Sequence, residues 1–183
     1  MKKRVFSLVL LLAGFLTASA AAQTASWKQV IGISLANNVV GSGTGAISGG
    51  FLPWSTTEGR ARVNLETGEI RFFVRGLVFA AGAPGITIGT PGPITAVKGT
   101  LICNASGSAA GGNSVIVETA SVPLSSTGNA QFSGNIGPLP AVCSSQPDLV
   151  FVVRVSGFAG NAVEGPWIAN GAVLSKKDDQ DGD

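Results

Sequence analysis

Arginine has the most pointed spacing in this chain. Arg60 and Arg62 alternate with Ala61 and Val63, and beyond the turn Glu66-Thr67-Gly68-Glu69, Arg71 and Arg75 alternate with Phe72 and Val74. Residues two apart on a strand share a face, so this period gathers the guanidinium groups opposite an apolar row. Such a face suits carboxylate, sulfate or phosphate, and Arg154 joins it if its strand lies alongside. Pairing Leu65 with Ile70 keeps Ala61, Val63, Leu65, Ile70, Phe72 and Val74 on the core side. The same register sets Arg60 opposite Arg75, Arg62 opposite Phe73 and Asn64 opposite Arg71. Directly opposed like charges destabilise a sheet, so Arg60 and Arg75 call for a counter-anion. Glu58, Glu66 and Glu69 at the hairpin ends, with Arg62 stacked on Phe73, are the internal solution. An acidic glycan, a lipid headgroup or a partner carboxylate is the external one. Trp54, in Leu52-Pro53-Trp54-Ser55, is a candidate stacking platform for a sugar. Core or edge packing is the competing role for Trp27, Trp54 and Trp167 alike.

Other chemistries are narrowed by composition. The chain has no histidine, which removes Ser–His and Cys–His catalysis for want of a base. Two cysteines without histidine leave a zinc tetrahedron half empty, so no metal and no cofactor is expected. A Ser–Lys pair needs a buried lysine, and Lys98 in Val97-Lys98-Gly99 reads as a solvent-facing strand residue. Paired carboxylates are the remaining hydrolytic option, with Glu118 beside Asp148 or Glu164. Alternation with Val115 and Val117 turns Glu118 outward, however, where a solvated role is the ordinary one. The run Gly41-Ser42-Gly43-Thr44-Gly45-Ala46 nearly spells a dinucleotide fingerprint, but Ile47 to Trp54 cannot supply the helix it needs. Asp179-Gln180-Asp181-Gly182-Asp183 ends short of a calcium loop. Asn104-Ala105-Ser106 is a glycosylation sequon.

The elements that must hold these groups are strands. Period-two segments bounded by turn residues are read at 28–36, 46–51, 59–65, 69–77, 94–103, 114–122, 130–136, 149–156 and 167–174. Eight or nine short, mostly antiparallel strands predict an all-β, two-layer β-sandwich of immunoglobulin-like type. Leu149, Phe151, Val153 and Val155 offer a second inward row on a strand expected to be central. Cys103 and Cys143, the only cysteines, predict one disulfide in an oxidising compartment. Closing that loop contributes about 4 kcal/mol on the chain-entropy model.

The compartment is read from the start of the chain. Lys2, Lys3 and Arg4 precede an apolar run from Val5 to Leu16, followed by small residues from Ala18 to Ala22, the pattern of a secretory signal peptide. Cleavage is expected near Ala22, with Ala18-Ser19-Ala20 as the competing site. The run falls short of the roughly 20 residues a spanning helix needs. The expected organisation is a signal peptide at 1–22, one domain at 23–175 and a disordered charged tail at 176–183. The mature chain is expected to be secreted or periplasmic, without a transmembrane segment. Losing the leader takes the formal charge from +2 to −1, leaving no global excess to attract nucleic acid.

The segment Gly59-Arg-Ala-Arg-Val-Asn-Leu-Glu-Thr-Gly-Glu-Ile-Arg-Phe-Phe-Val-Arg-Gly-Leu77 resembles the central hairpin of CHRD-type domains. Those are secreted β-domains with a Gly-x-Ala-x-Val-x-Leu strand and a Thr-Gly-x-Ile-x-Phe-x-Val-x-Gly-Leu return. The resemblance covers residues 59–77 of 183 and implies a CHRD-like sandwich. Family members carry a histidine-containing segment soon after this Gly-Leu, and residues 78–88 have none, so no functional residue carries over. The whole chain is similar to small exported bacterial β-proteins, which implies a class and no activity. The expected function is that of an exported non-enzymatic binding or structural module. Its partner would be an anionic glycan, an envelope component or a protein, met through Arg60, Arg62, Arg71, Arg75, Arg154 and Trp54. The alternatives are a carboxylate-dependent, glycosidase-like hydrolase and a purely structural envelope protein.

Overall fold

Strand formation follows the alternation. A computed structural model describes residues 23–109, 111–145 and 148–178; the expected signal peptide and the last five residues of the expected tail lie outside these. The strands are β1 (Gln23–Gly32), β2 (Val39–Val40), β3 (Ile47–Ser48), β4 (Trp54–Ser55), β5 (Glu58–Asn64), β6 (Glu69–Arg75) and β7 (Val78–Phe79). They continue with β8 (Ile94–Cys103), β9 (Val115–Glu118), β10 (Val122–Pro123), β11 (Ala130–Asn135), β12 (Val150–Phe158), β13 (Asn161–Ala162) and β14 (Trp167–Asp178). One short helix, α1 (Ala141–Ser145), interrupts them.

Ten strands form one antiparallel sheet in the order β10-β8-β12-β14-β1-β5-β6-β11, with β9 also on β8 and β13 on β12. In β5 and β6 burial alternates residue by residue, as one wet face requires. β12 lies between β8 and β14 and is buried on both faces along Phe151, Val152 and Val153, so the strand read as central is central. The sheet curls until its halves face each other. Phe151 of β12 lies 5.6 Å from Phe72 of β6 and 5.5 Å from Trp27 of β1, ring centre to ring centre. Gly99 permits that approach, since a methyl group there would sit 2.7 Å from the Phe72 ring. The result is a sandwich-like all-β fold whose two layers are halves of one continuous sheet. The expected disulfide joins Cys103, at the end of β8, to Cys143 in α1, with Cα atoms 4.9 Å apart.

The hairpin register differs from expectation by two residues. Val63 faces Ile70, Ala61 faces Phe72 and Gly59 faces Val74, so the apolar face is the expected one but the cross-strand partners are not. A two-residue slip leaves every side chain on its own face, and alternation alone cannot detect it. The longer connection is held locally: the Asn64 side-chain oxygen accepts the Glu66 and Thr67 amides at 3.0 Å, and the Gly68 amide donates to the Asn64 carbonyl at 2.9 Å. Gly68 adopts φ +75°, a conformation that costs glycine little. Leu65 leaves the hairpin because its amide donates to the Gln23 carbonyl of β1.

Other boundaries move as well. β1 begins five residues before Lys28, in a small and polar stretch whose strand form comes from pairing with β14 and β5. β14 runs to Asp178, so Lys176, Lys177 and Asp178, read as disordered tail, lie against Ala25, Thr24 and Gln23. The segment read as one strand at 114–122 divides at Thr119, whose amide and hydroxyl both bond Gly99 of β8.

Candidate functional site

The outer faces of β1, β5, β6 and β11 form a platform in register. One row reads Ser26, Arg62, Arg71, Ser133 across the four strands. The next reads Arg60, Phe73, Gln131, and a third pairs Glu58 with Arg75. Lys28 joins them through a break in alternation, since Lys28 and Gln29 are both exposed between buried Trp27 and Val30. The first two rows and Lys28 line an open depression of about 840 Å³. A second, of about 550 Å³, continues from it past Phe73 and Gln131 to Arg75, Ser125 and Asn129.

Charge compensation on this face is uneven. Glu69 holds Arg71, with N···O distances of 2.6 and 2.7 Å, and Glu58 holds Arg75 at 3.0 Å. The opposed arginines are Arg62 and Arg71, not Arg60 and Arg75, because the register is shifted. The guanidinium stacked on Phe73 is that of Arg75, 5.7 Å from the ring centre, instead of Arg62. Among the described residues, no carboxylate lies within 4.0 Å of Lys28, Arg60 or Arg62. Three cations thus line one groove without an internal partner.

Arg154 does not join this face. It lies on β12, separated from β5 by β14 and β1, directly opposite Lys98 of β8. Both cations are largely enclosed, with side-chain exposures of 13% and 11%. Glu118 of β9 bridges them, accepting from Lys98 at 2.8 Å and from Arg154 at 2.6 Å. Glu164, on the loop between β13 and β14, completes the set by bonding Lys98 and approaching Arg154 at 3.6 Å. The Arg154 Nε also donates to the Gly165 carbonyl, which ties that loop down. Burial pushes the Glu118 carboxyl up, but the Lys98 hydrogen bond, the Arg154 and Lys98 charges and the Arg154 hydrogen bond outweigh it and hold it below the ordinary value. Burial likewise pulls Lys98 down, and its bonds and attractions to Glu118 and Glu164 hold it above the ordinary lysine value.

Glu118 and Glu164 are therefore brought together, but each engages two cations, and Glu118 is held ionised, the wrong state for a general acid. Asp148 serves elsewhere: its Oδ2 accepts the Ser106 amide at 2.8 Å and the Ser106 hydroxyl. The sequon asparagine is structural too. Asn104 is buried; its amide nitrogen donates to the Asn113 carbonyl and its oxygen accepts from Ala109.

Trp54 is not a loop platform. It pairs with Phe79 in the β4–β7 ladder, its amide donates to the Ile33 carbonyl, and its indole packs 4.0 Å from the Phe79 ring in the core. Trp27 and Trp167 are buried as well. Among the described residues no group of three His, Cys, Asp or Glu side chains converges to hold a metal, and no helix is long and apolar enough to cross a membrane.

Fold and site together define a disulfide-bonded all-β domain with one basic, partly uncompensated sheet face. No family model, no curated protein and no solved structure matches the chain.

Proposed function

We propose that this chain is an exported, non-enzymatic β-domain that binds an anionic partner through the outer face of β1, β5, β6 and β11. The observation that carries the reading is the set of Lys28, Arg60 and Arg62, three cations lining one groove with no carboxylate within 4.0 Å among the described residues. Side chains that only maintain solubility are ordinarily interspersed with the opposite sign. Here Glu58 and Glu69 serve the hairpin's far strand and leave its near strand positive. The leader pattern and the disulfide support export, and the CHRD-like hairpin agrees with it.

Retention on a sulfonate resin tests the reading. The wild-type chain is expected to bind at low salt and elute as ionic strength rises, since counterion release governs such contacts. Arg60→Ala with Arg62→Ala should abolish most of the retention. Arg71→Ala with Arg75→Ala should remove much less, because those charges are already shared with Glu69 and Glu58. Equal losses from the two pairs would reduce the face to its net charge and defeat the proposal.

A further inference from the structure

We propose that the ligand of this face is an extended acidic polysaccharide, of which several sugar units lie in the joined depressions at once. The inference rests on the anion-binding reading and adds the ligand's class to it. A lone sulfate or phosphate would fill a small part of the groove, which at about 840 Å³, with a further 550 Å³ adjoining, is on the scale of pockets for ligands of several rings.

The positive groups are spread in a way that suits a chain. Lys28 on β1 and Arg60 and Arg62 on β5 line the groove over two neighbouring strands, and Arg71 on β6, shared with Glu69, lies opposite Arg62 beyond them. Neighbouring strands are about 4.8 Å apart and alternate residues on a strand about 6.8 Å, so the cations are spread over a length that suits a chain carrying repeated acids better than a single anion. Between the charges stand groups that a plain polyanion site has no use for. Gln131 and Ser133 on β11 offer an amide and a hydroxyl to sugar hydroxyls. Phe73, half-buried, offers an apolar ring between Arg60 and Gln131. A phosphate polymer would use the cations alone. A lipid surface would need apolar side chains around them, and none of the large exposed hydrophobics among the described residues, such as Leu35, Val39 and Phe51, lines these depressions.

Calorimetric titration of the full disulfide-bonded chain tests the inference. The probes are galacturonate oligomers from monomer to octamer, the same oligomers with carboxyls reduced to alcohols, inorganic polyphosphate of matched charge, and phosphatidylcholine vesicles containing phosphatidylserine. Affinity is expected to rise with oligomer length and level off at about the tetramer, once the chain fills the joined depressions. The reduced oligomers should bind at least about tenfold more weakly. Phe73→Leu and Gln131→Ala should each weaken the tetramer by about tenfold and leave polyphosphate binding unchanged. Gln131 is exposed, so its variant carries the test even where Phe73→Leu perturbs folding.

Polyphosphate or vesicles binding as well as the octamer, with no effect of Gln131→Ala, would overturn the polysaccharide inference and leave the anion-binding reading standing. A monomer that binds as tightly as the tetramer would overturn the extended-chain geometry. Failure of every polyanion, together with loss of salt-sensitive retention, would remove both readings.

Discussion

At the scale of single residues, the molecule uses its charges in two contrasting ways. Lys98, Glu118 and Arg154 each stand alone in an apolar strand, and each would be costly to enclose without the others. Removing the Glu118 charge leaves two enclosed cations facing each other with the exposed Glu164 as their remaining carboxylate among the described residues, so Glu118→Gln should cost about 2 kcal/mol or more by denaturant unfolding. Glu164→Gln, at an exposed position, should cost under about 1 kcal/mol. The Glu118 carboxyl lies lower in the folded than in the unfolded chain, so its contribution is complete above the ordinary value of 4.5 and fades as pH falls through the folded value. Lys98 lies higher when folded, so its contribution is complete below the ordinary 10.5 and fades as pH rises through the folded value. A stability–pH profile should therefore fall at both ends, and Glu118→Gln should flatten both limbs. The groove cations Lys28, Arg60 and Arg62 stand in the opposite situation, exposed to solvent and with no carboxylate within 4.0 Å among the described residues.

At the scale of elements, the close approach of β6 to β8 and β12 depends on the missing side chain at Gly99. Gly99→Ala drives a methyl into the Phe72 and Phe151 rings, at 2.7 and 3.0 Å, and should cost about 1–3 kcal/mol by chemical denaturation. The disulfide pins α1 to the end of β8 across 40 residues of chain. Replacing Cys103 and Cys143 together by serine should lower stability by about 4 kcal/mol on the chain-entropy model. Trp54→Ala should lower it by about 3–5 kcal/mol, with no direct effect on retention by an anionic resin, because the indole lies in the core and away from the groove. An unchanged melting temperature would contradict the placement of Trp54 on Phe79.

At the scale of the whole molecule, the first and last strands, β1 and β14, pair with each other and join the two halves of the sheet. β14 is the link between β12 and β1, and so between the layer that carries the ion-pair network and the layer that carries the basic face. A chain ending at Gly165 should lose cooperative unfolding and near-ultraviolet circular dichroism, since β1 and β12 would both be left with open edges. Most contacts among the described residues join segments far apart in sequence, so folding in milliseconds to seconds is expected.

Much of this was legible beforehand, and for a definite reason. Hydrophobic patterning is a local property of the chain: it specified the strand character of β5, β6, β8 and β12 and the inward row from Ala61 to Val74, and the apolar residues on both faces of β12 specified its central place. Composition settled the absence of imidazole chemistry, and two cysteines allowed one bridge. Register, partnership and face-to-face stacking are decided by residues distant in sequence. A slip of two leaves alternation untouched, so the true opposite of Arg62 was hidden. Gln23 to Trp27 carry little strand signal until β14 lies beside them. Arg154 belongs with Lys98 and Glu118 only because β12 pairs with β8 and β8 with β9, and Lys28 meets Arg60 only because the first strand docks on the hairpin. Short-range pattern determined what each strand is and which way it faces; the curl of the sheet decided which charges meet, because that choice is made by through-space contacts between segments the chain keeps far apart.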